Sequence, residues 1–227
     1  MTTRTRFHQG LDELKGKLLA MGGLAEQAVD LAIRAYRERV PEFCQKVFSN
    51  EARINMAERE IDELALDLLA MQQPMAVDLR LILAVIKSNA DLERVGDQAV
   101  NVAQRVMDLI ALPQVELAAD IPQIGSVAAQ MVRQALEAFV AGDADAAHRV
   151  LEMDDTVDRM NQEIFIAMDK TMHESPAVVR QALDTIIIAR NLERVADHAT
   201  NIAEDVIFWI RGADVRHRFG VPSGSPS

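Results

Sequence analysis

Apolar side chains recur every three or four residues through most of this chain, which is the spacing of a helix that buries one face. In the first half, the pattern predicts helices at about 5–40, 41–71 and 76–112. Pro41 suits the first turn of the second helix. The sequence Gln72-Gln73-Pro74 interrupts the periodicity before the third helix. Few segments alternate with the period of a strand, so the chain is predicted to be all-α.

The second half repeats this plan after a linker at about 113–122, which contains two prolines and has no sustained period. Helices are predicted at about 123–141 and 143–172, and a last helix follows a break at 173–176 and continues to about 211. Gly142 is a candidate C-cap and Asp143 a candidate N-cap.

Two consecutive three-helix units with related sequences indicate an internal duplication. Short loops make each unit an antiparallel bundle. We therefore expect two tandem antiparallel three-helix bundles, the first in residues 1–115 and the second in residues 116–212. A flexible tail is expected at 213–227, where Gly, Pro and Ser dominate the last residues.

The clearest trace of the duplication is a sixteen-residue segment that occurs twice. Residues 91–106 read DLERVGDQAVNVAQRV and residues 191–206 read NLERVADHATNIAEDV, with nine identical positions. At about 100° per residue, Glu93 and Asp97 fall within about 40° of each other, and the apolar residues gather on the far side. Glu193 and Asp197 repeat this arrangement. Each half therefore presents a carboxylate stripe that is turned away from its own core.

The second helix of each half carries a further oxygen-rich stripe. Its members are Glu51, Asn55, Glu58 and Asp62 in the first half, and Asp154, Asp158 and Asn161 in the second. If the second and third helices of each half are neighbours, two stripes converge on one groove. Hard divalent or trivalent cations prefer carboxylate and amide oxygens, so such a groove is a candidate cation site.

The same spacing also fits a solvated helix face whose acids pair with nearby basic side chains. Arg94 and Arg194 each directly follow a Glu of the stripe, and Arg190 lies one turn earlier on the last helix. Spacing alone leaves both interpretations open. His198, which borders the second stripe, is expected to be solvated rather than a metal ligand.

Composition narrows the functional classes. The formal charge of −11 argues against a nucleic-acid surface, which needs clustered Lys and Arg. The single cysteine cannot form an internal disulfide, and no signal peptide or membrane-spanning stretch is evident. We therefore expect a cytoplasmic protein without a membrane span.

The side chains interpreted as packing residues are Met21, Cys44, Met56, Met71, Met75 and Trp209.

Signatures of catalysis are absent from the sequence. A di-iron bundle needs Glu-x-x-His pairs that project inward, and no such pair occurs. Walker, dinucleotide-binding, nucleophile-elbow and His-Glu-x-x-His motifs are also missing. We therefore expect none of these types of active site. Two alternatives stay open, a metal-dependent phosphohydrolase that uses the acid groove as a two-metal site and a metal-free helical adaptor.

Several segments together resemble the PhoU family of phosphate-transport accessory and phosphate-signalling proteins. They are MGGLAEQAV from Met21, QQPMAVDLR at 72–80, and the paired LERVGDQAVN and LERVADHATN segments. The resemblance extends from about Phe7 to Gly212. It implies two tandem three-helix bundles related by a pseudo-twofold axis, and a homodimer.

The resemblance also implies metal binding, which in some members of this family involves iron clusters. The ligands are a Glu or Asp followed four residues later by Asp. The matching pairs here are Glu93 with Asp97, Glu193 with Asp197, Asp154 with Asp158, and Glu58 with Asp62. Divalent or trivalent ions are expected, with iron, zinc, manganese or magnesium as the candidates. Glu51 and Asn55 depart from the pattern, because Asn replaces the second acid.

The function that the resemblance implies is regulatory. Proteins of this family are negative regulators of phosphate uptake and of the phosphate-starvation response. They couple the ATPase of the phosphate ABC transporter to a phosphate-responsive sensor histidine kinase. We therefore expect these two partners for this chain, and no catalytic residues.

Overall fold

The structure, a computed structural model, describes residues 3–71 and 74–212. Its α-helices are α1 (Thr3–Glu38), α2 (Pro41–Met71), α3 (Ala76–Ile110), α4 (Ile121–Ala141), α5 (Ala144–Glu174) and α6 (Val179–Arg211), and a single 3₁₀ turn at Pro176–Val178 precedes α6. No strand occurs among these residues, so the all-α prediction is confirmed. None of the described helices combines the length and apolarity that crossing a membrane requires. The predicted tail at 213–227 lies outside the described residues, as do Gln72 and Gln73 of the predicted break, whose third residue, Pro74, is not helical.

Local chemistry sets several helix ends where the sequence predicts them. The side chain of Asp143 caps α5, because its Oδ1 accepts from two backbone N–H groups of the first turn, each at 2.9 Å. Gly142 and Gly212 end α4 and α6 with left-handed φ angles of 62° and 67°. The start of α4 precedes the predicted one, because the side chain of Asp120 caps the helix and Pro122 fits its first turn.

The helices pack in two layers. In the front layer α2, α3, α6 and α5 lie side by side in that order, and α1 and α4 lie behind them. Each half is a three-helix bundle, and the two bundles meet along α1 with α4 and, most extensively, along α3 with α6. One continuous apolar core runs through both bundles. The predicted pair of three-helix units is therefore confirmed, and the halves are firmly packed on each other.

Glycine allows the back layer to close. A Cβ atom at Gly22 of α1 would lie 2.3 Å from Leu136 Cδ1 of α4, and one at Gly125 of α4 would lie 2.6 Å from Ile33 Cγ1 of α1. Real Cβ atoms do not approach other atoms this closely. The two helices can therefore cross at this distance because neither position carries a side chain.

Of the six side chains interpreted as packing residues, three are buried and two are exposed, and that of Met71 lies outside the described part of the structure. Met21 and Cys44 are fully buried, and Trp209 packs on Phe139 with the ring centroids 5.2 Å apart. The prediction is wrong for Met56 and Met75, which are 59% and 75% exposed. Met56 lies about 200° around α2 from the core residue two positions earlier, and Met75 precedes the first turn of α3.

Candidate metal centres

The oxygen-rich stripes of α5 and α6 converge on one groove in the second half. Asn161 Nδ2 on α5 donates to Glu193 Oε2 on α6 at 2.9 Å, which fixes the register of the two stripes. The two helices are antiparallel, so Asp158 and Asp154, which precede Asn161 on α5, lie on the same side of this contact as Asp197, which follows Glu193 on α6. The predicted convergence of the two stripes is confirmed in this half.

Burial and like charge raise the pKa values of these carboxyl groups. The pKa of Asp154 is raised to about 6, first by burial and then by the charges of Asp158 and Asp197. Burial and the charge of Asp197 raise the pKa of Glu193, and burial and the charge of Asp158 raise that of Asp197. Asp154 Oδ1 is buried and has no hydrogen-bond partner among the described residues. A cation would relieve both the repulsion and the unpaired oxygen.

Helices α2 and α3 form the corresponding groove in the first half. The pKa of Glu93 is raised by burial and by the charges of Asp97 and Glu58, so these three carboxylates lie within electrostatic range of one another. Asp62 is engaged differently, because its Oδ1 accepts from Asn89 Nδ2 at 3.0 Å. The same amide also donates to the backbone oxygen of Glu58 at 3.0 Å. In this groove the charges of Glu58 and Asp97 therefore act on Glu93, and Asp62 contacts α3 one turn away through Asn89.

The donor atoms in both grooves are carboxylate and amide oxygens, a set that fits a hard divalent or trivalent cation. Within 3–71 and 74–212, no group of three His, Cys, Asp or Glu side chains is already arranged around a common metal position. Metal binding therefore requires side-chain rotation, which partly exposed helical carboxylates allow. The eight ligands implied by the family resemblance stay a prediction.

The arginines beside the stripes do not neutralise them through ion pairs. Arg94, Arg190 and Arg194 are exposed, and in the described part of the chain none lies within 4.0 Å of a carboxylate oxygen. Their charges act at longer range and lower the pKa values of Glu93 and Glu193, but burial and the neighbouring acids outweigh them. A salt-bridged face therefore does not account for the stripes.

The expectation that His198 is solvated is wrong. Its side chain is buried, and its Nδ1 lies 2.9 Å from Asp91 Oδ1 on α3. The same oxygen accepts from Asn201 Nδ2 at 3.1 Å. The cause is the packing of α6 on α3 of the other half, which the periodicity of a single helix does not reveal. One signal was present in the sequence: Asp91 is a charged residue about 160° from Glu93, on the apolar side of α3.

The sequence matches the family model of the PhoU domain twice, at residues 18–106 and at residues 121–206. The chain belongs to the PhoU family. A relative from Pseudomonas aeruginosa, named phosphate-specific transport system accessory protein PhoU homolog, is 41% identical over 213 residues, which cover 93% of this chain and 88% of the relative. The phosphate-specific transport system accessory protein PhoU of Escherichia coli K12 is 30% identical over 212 residues, with the same two coverages, 93% and 88%.

Crystal structures of two PhoU proteins share the architecture. The structure of PhoU from Pseudomonas aeruginosa superimposes with a TM-score of 0.87 at 40% identity, covering 91% of this chain and 100% of that one. The phosphate transport system regulatory protein PhoU from Streptococcus pneumoniae superimposes with a TM-score of 0.85 at 26% identity, covering 92% and 99%. These matches confirm the tandem PhoU-type fold that the sequence predicts.

Each PhoU domain contains one of the two grooves, but the spacing of its acids is not sufficient to place them there. Glu63 and Asp67 on α2 have the same four-residue spacing, and both are exposed, as are three of the candidate ligands, Asp62, Asp158 and Asp197. By helical count they lie about 140° and 180° from Glu58, away from the groove. Position on the helix therefore distinguishes the candidate ligands from an ordinary solvated pair.

Proposed function

We propose that this protein regulates phosphate transport as an accessory component of a phosphate-specific transport system, and that the groove of each PhoU domain binds metal ions. The names of its relatives support the transport role. The metal role is supported above all by the second-half groove, where Asp154 Oδ1 is buried near Asp158 and Asp197 and has no hydrogen-bond partner in the described part of the chain. The first-half groove repeats the clustering of carboxylates.

The proposed ligands are the eight acids of the two grooves. In the second domain they are Asp154, Asp158, Glu193 and Asp197, and in the first domain they are Glu58, Asp62, Glu93 and Asp97. A bound cation would supply the positive charge that offsets repulsion among them. The carboxylates would then tie α5 to α6 and α2 to α3, and order the surface that each pair presents.

We further propose that the partners are the ATPase of the phosphate ABC transporter and a phosphate-responsive sensor histidine kinase. In this proposal the protein restrains uptake and the starvation response when phosphate is ample. Two rigid bundles that display related surfaces suit a protein that bridges two partners. The proposed setting is the cytoplasm, the proposed assembly is a homodimer, and the protein itself has no catalytic step.

Elemental analysis of the untagged protein tests the metal role. We expect Asp154→Asn combined with Asp158→Asn to lose the metal of the second domain, and Glu93→Gln combined with Asp97→Asn to lose that of the first. The matched control is Glu63→Gln combined with Asp67→Asn, which removes the same spacing from an exposed face. Equal metal content in the wild type and all three variants would contradict the proposal.

Capture experiments with the purified transporter ATPase and the kinase test the regulatory role. We expect chelation and the two groove variants to weaken capture, and the control variant to leave it unchanged. If a groove variant that has verifiably lost its metal is captured as well as the wild type, partner binding does not depend on the metal. Turnover of phosphate esters by the metal-loaded protein would instead favour the phosphohydrolase alternative.

A further inference from the structure

Cross-domain polar pairs show how α3 and α6 face each other. The pairs are Asp91 with His198, Lys87 with Asp205, and Arg105 with Asp184, at 2.9, 3.4 and 3.5 Å. As the residue number rises from 87 to 105 on α3, the number of its partner on α6 falls from 205 to 184, so the two helices are antiparallel. A residue near 94 on α3 therefore lies opposite a residue near 195 on α6. The two copies of the repeat are offset by one hundred residues. Equivalent positions therefore meet here, and the pseudo-twofold axis passes between them.

Arg94 and Arg194 are the equivalent residues that flank this axis. Both are exposed, and Arg190 lies one turn from Arg194 on the same helix and is exposed as well. In the part of the chain that the structure describes, none of the three has an ion pair or a side-chain hydrogen bond. An arginine that stabilises the fold normally has such a partner. We call these three residues the arginine seam.

The arginine seam lies between the two acid grooves, on the same face of the protein. Arg94 lines a shallow groove of about 280 Å³ together with Asn201, which continues the carboxylate stripe of the other domain. The other charged residues that line this groove are Lys87, Asp91, Glu204 and Asp205. The charge of Arg94 acts on Glu93, and the charges of Arg190 and Arg194 act on Glu193. The seam is thus electrostatically linked to both grooves.

The charge of this face depends on what the grooves hold. The eight predicted ligands contribute −8 when ionised, the seam contributes +3, and the four other charged side chains that line the groove at Arg94 contribute −2, so together they carry −7. One divalent ion in each groove changes this to −3, and two in each change it to +1. A face at −7 repels an acidic partner, whereas a face at +1 lets exposed guanidinium groups attract it.

We propose that the arginine seam is the recognition surface for an acidic segment of a partner protein, and that the segment binds when the flanking grooves hold cations. This proposal rests on the metal role proposed above. Guanidinium groups pair with carboxylates through two parallel hydrogen bonds, and the three exposed guanidinium groups make no such bonds to other described residues. The three groups are spread over two helices, with Arg190 and Arg194 about 6 Å apart along α6. An extended acidic segment matches this spread better than one small anion does.

Fluorescence anisotropy with a labelled ten-residue peptide of alternating Glu and Ala tests the proposal on the full chain. We expect the metal-loaded wild type to bind this probe. Arg94→Gln combined with Arg194→Gln should weaken binding at least about tenfold with unchanged metal content. The conservative pair Arg94→Lys and Arg194→Lys should retain part of the affinity, because it keeps the charge but loses the paired hydrogen bonds. The control is Arg59→Gln combined with Arg159→Gln, two exposed arginines on α2 and α5.

The outcomes separate this proposal from the one on which it rests. If the wild type and the Arg94→Gln, Arg194→Gln variant bound the probe equally well, the arginine seam would not be its recognition surface. If the probe bound equally well with and without chelator, and still required Arg94 and Arg194, the arginine seam would stand as the binding surface and its dependence on cations would be wrong. Wild-type protein that takes up no metal in elemental analysis would overturn the metal role and the cation dependence together. Complete displacement of the probe by inorganic phosphate at submillimolar concentration would identify a small-anion site and overturn the acidic segment.

Discussion

His198 on α6 and Asp91 on α3 join the two PhoU domains through a buried pair, with Nδ1 and Oδ1 2.9 Å apart. Each side chain is only 10% exposed. Asn201 contributes a second donor to the same carboxylate oxygen. A buried acceptor that serves two donors from the other domain fixes the register of α3 on α6, because a shift along either helix would leave all three groups unpaired.

Asp91→Ala is therefore expected to lower the free energy of unfolding by about 1–3 kcal/mol, because His198 and Asn201 lose their buried acceptor. Urea unfolding followed by circular dichroism measures this change. Asp67→Ala, at an exposed position on α2, is the control. If the two variants were equally stable, the buried pair would have no structural role.

The stability of the metal-free protein is expected to depend on pH through Asp154. Its pKa is about 6 in the folded protein, above the ordinary value of 3.8, so between these values the folded state binds more protons than the unfolded chain. Stability therefore falls as pH rises from about 4 to about 6. Asn cannot ionise, so Asp154→Asn should be more stable than the wild type at pH 7.5 by about 1–2 kcal/mol, allowing for solvent screening.

Urea unfolding with chelator at pH 4 and pH 7.5 measures this difference. The advantage of Asp154→Asn should disappear at pH 4, where the wild-type carboxyl group is protonated at this site in the folded state. Asp67→Asn serves as the exposed control. An advantage that is the same at both pH values would exclude ionisation of Asp154 as its source.

Arg39 combines an unfavourable backbone conformation with a favourable side-chain contact. Its φ angle is 54°, and its guanidinium donates to the backbone oxygens of Leu109 and Leu112 at the end of α3. Arg39→Ala keeps the left-handed backbone and loses the contact, whereas Arg39→Gly loses the contact but relieves the backbone. We expect both variants to be less stable than the wild type, with Ala about 1 kcal/mol below Gly. Thermal unfolding gives the order, and an Ala variant as stable as Gly would contradict it.

The adjacent glycines of α1 are expected to respond oppositely to substitution by Ala. At Gly23 nothing lies within 4 Å of a new Cβ atom, so Gly23→Ala should stabilise the protein by about 0.5–1 kcal/mol. At Gly22 the new atom would meet Leu136 at 2.3 Å, so Gly22→Ala should lose this gain or destabilise the protein. Chemical unfolding of the two variants side by side decides the point. Equal gains would show that α1 and α4 are not tightly packed at Gly22.

The sequence predicts the features of this protein that depend on neighbours within one helix. Apolar periodicity gives the helices, Asp143 and Gly142 give their ends, and the repeated Glu-Asp spacing gives the carboxylate stripes. The helical count also separates the groove residue Glu58 from the exposed Glu63 on the same helix. These inferences succeed because an α-helix has one geometry, so spacing in the chain converts directly into position on a surface.

Only the tertiary structure decided what faces those surfaces. It buries His198 against Asp91 and engages Asp62 with Asn89, and among the described residues it gives Arg94 and Arg194 no ion pair. Each of these outcomes depends on how one helix is placed against another, and α3 meets α6 across about a hundred residues of chain. Periodicity along a helix specifies which face is buried but does not identify its neighbour, because many neighbours satisfy the same apolar stripe.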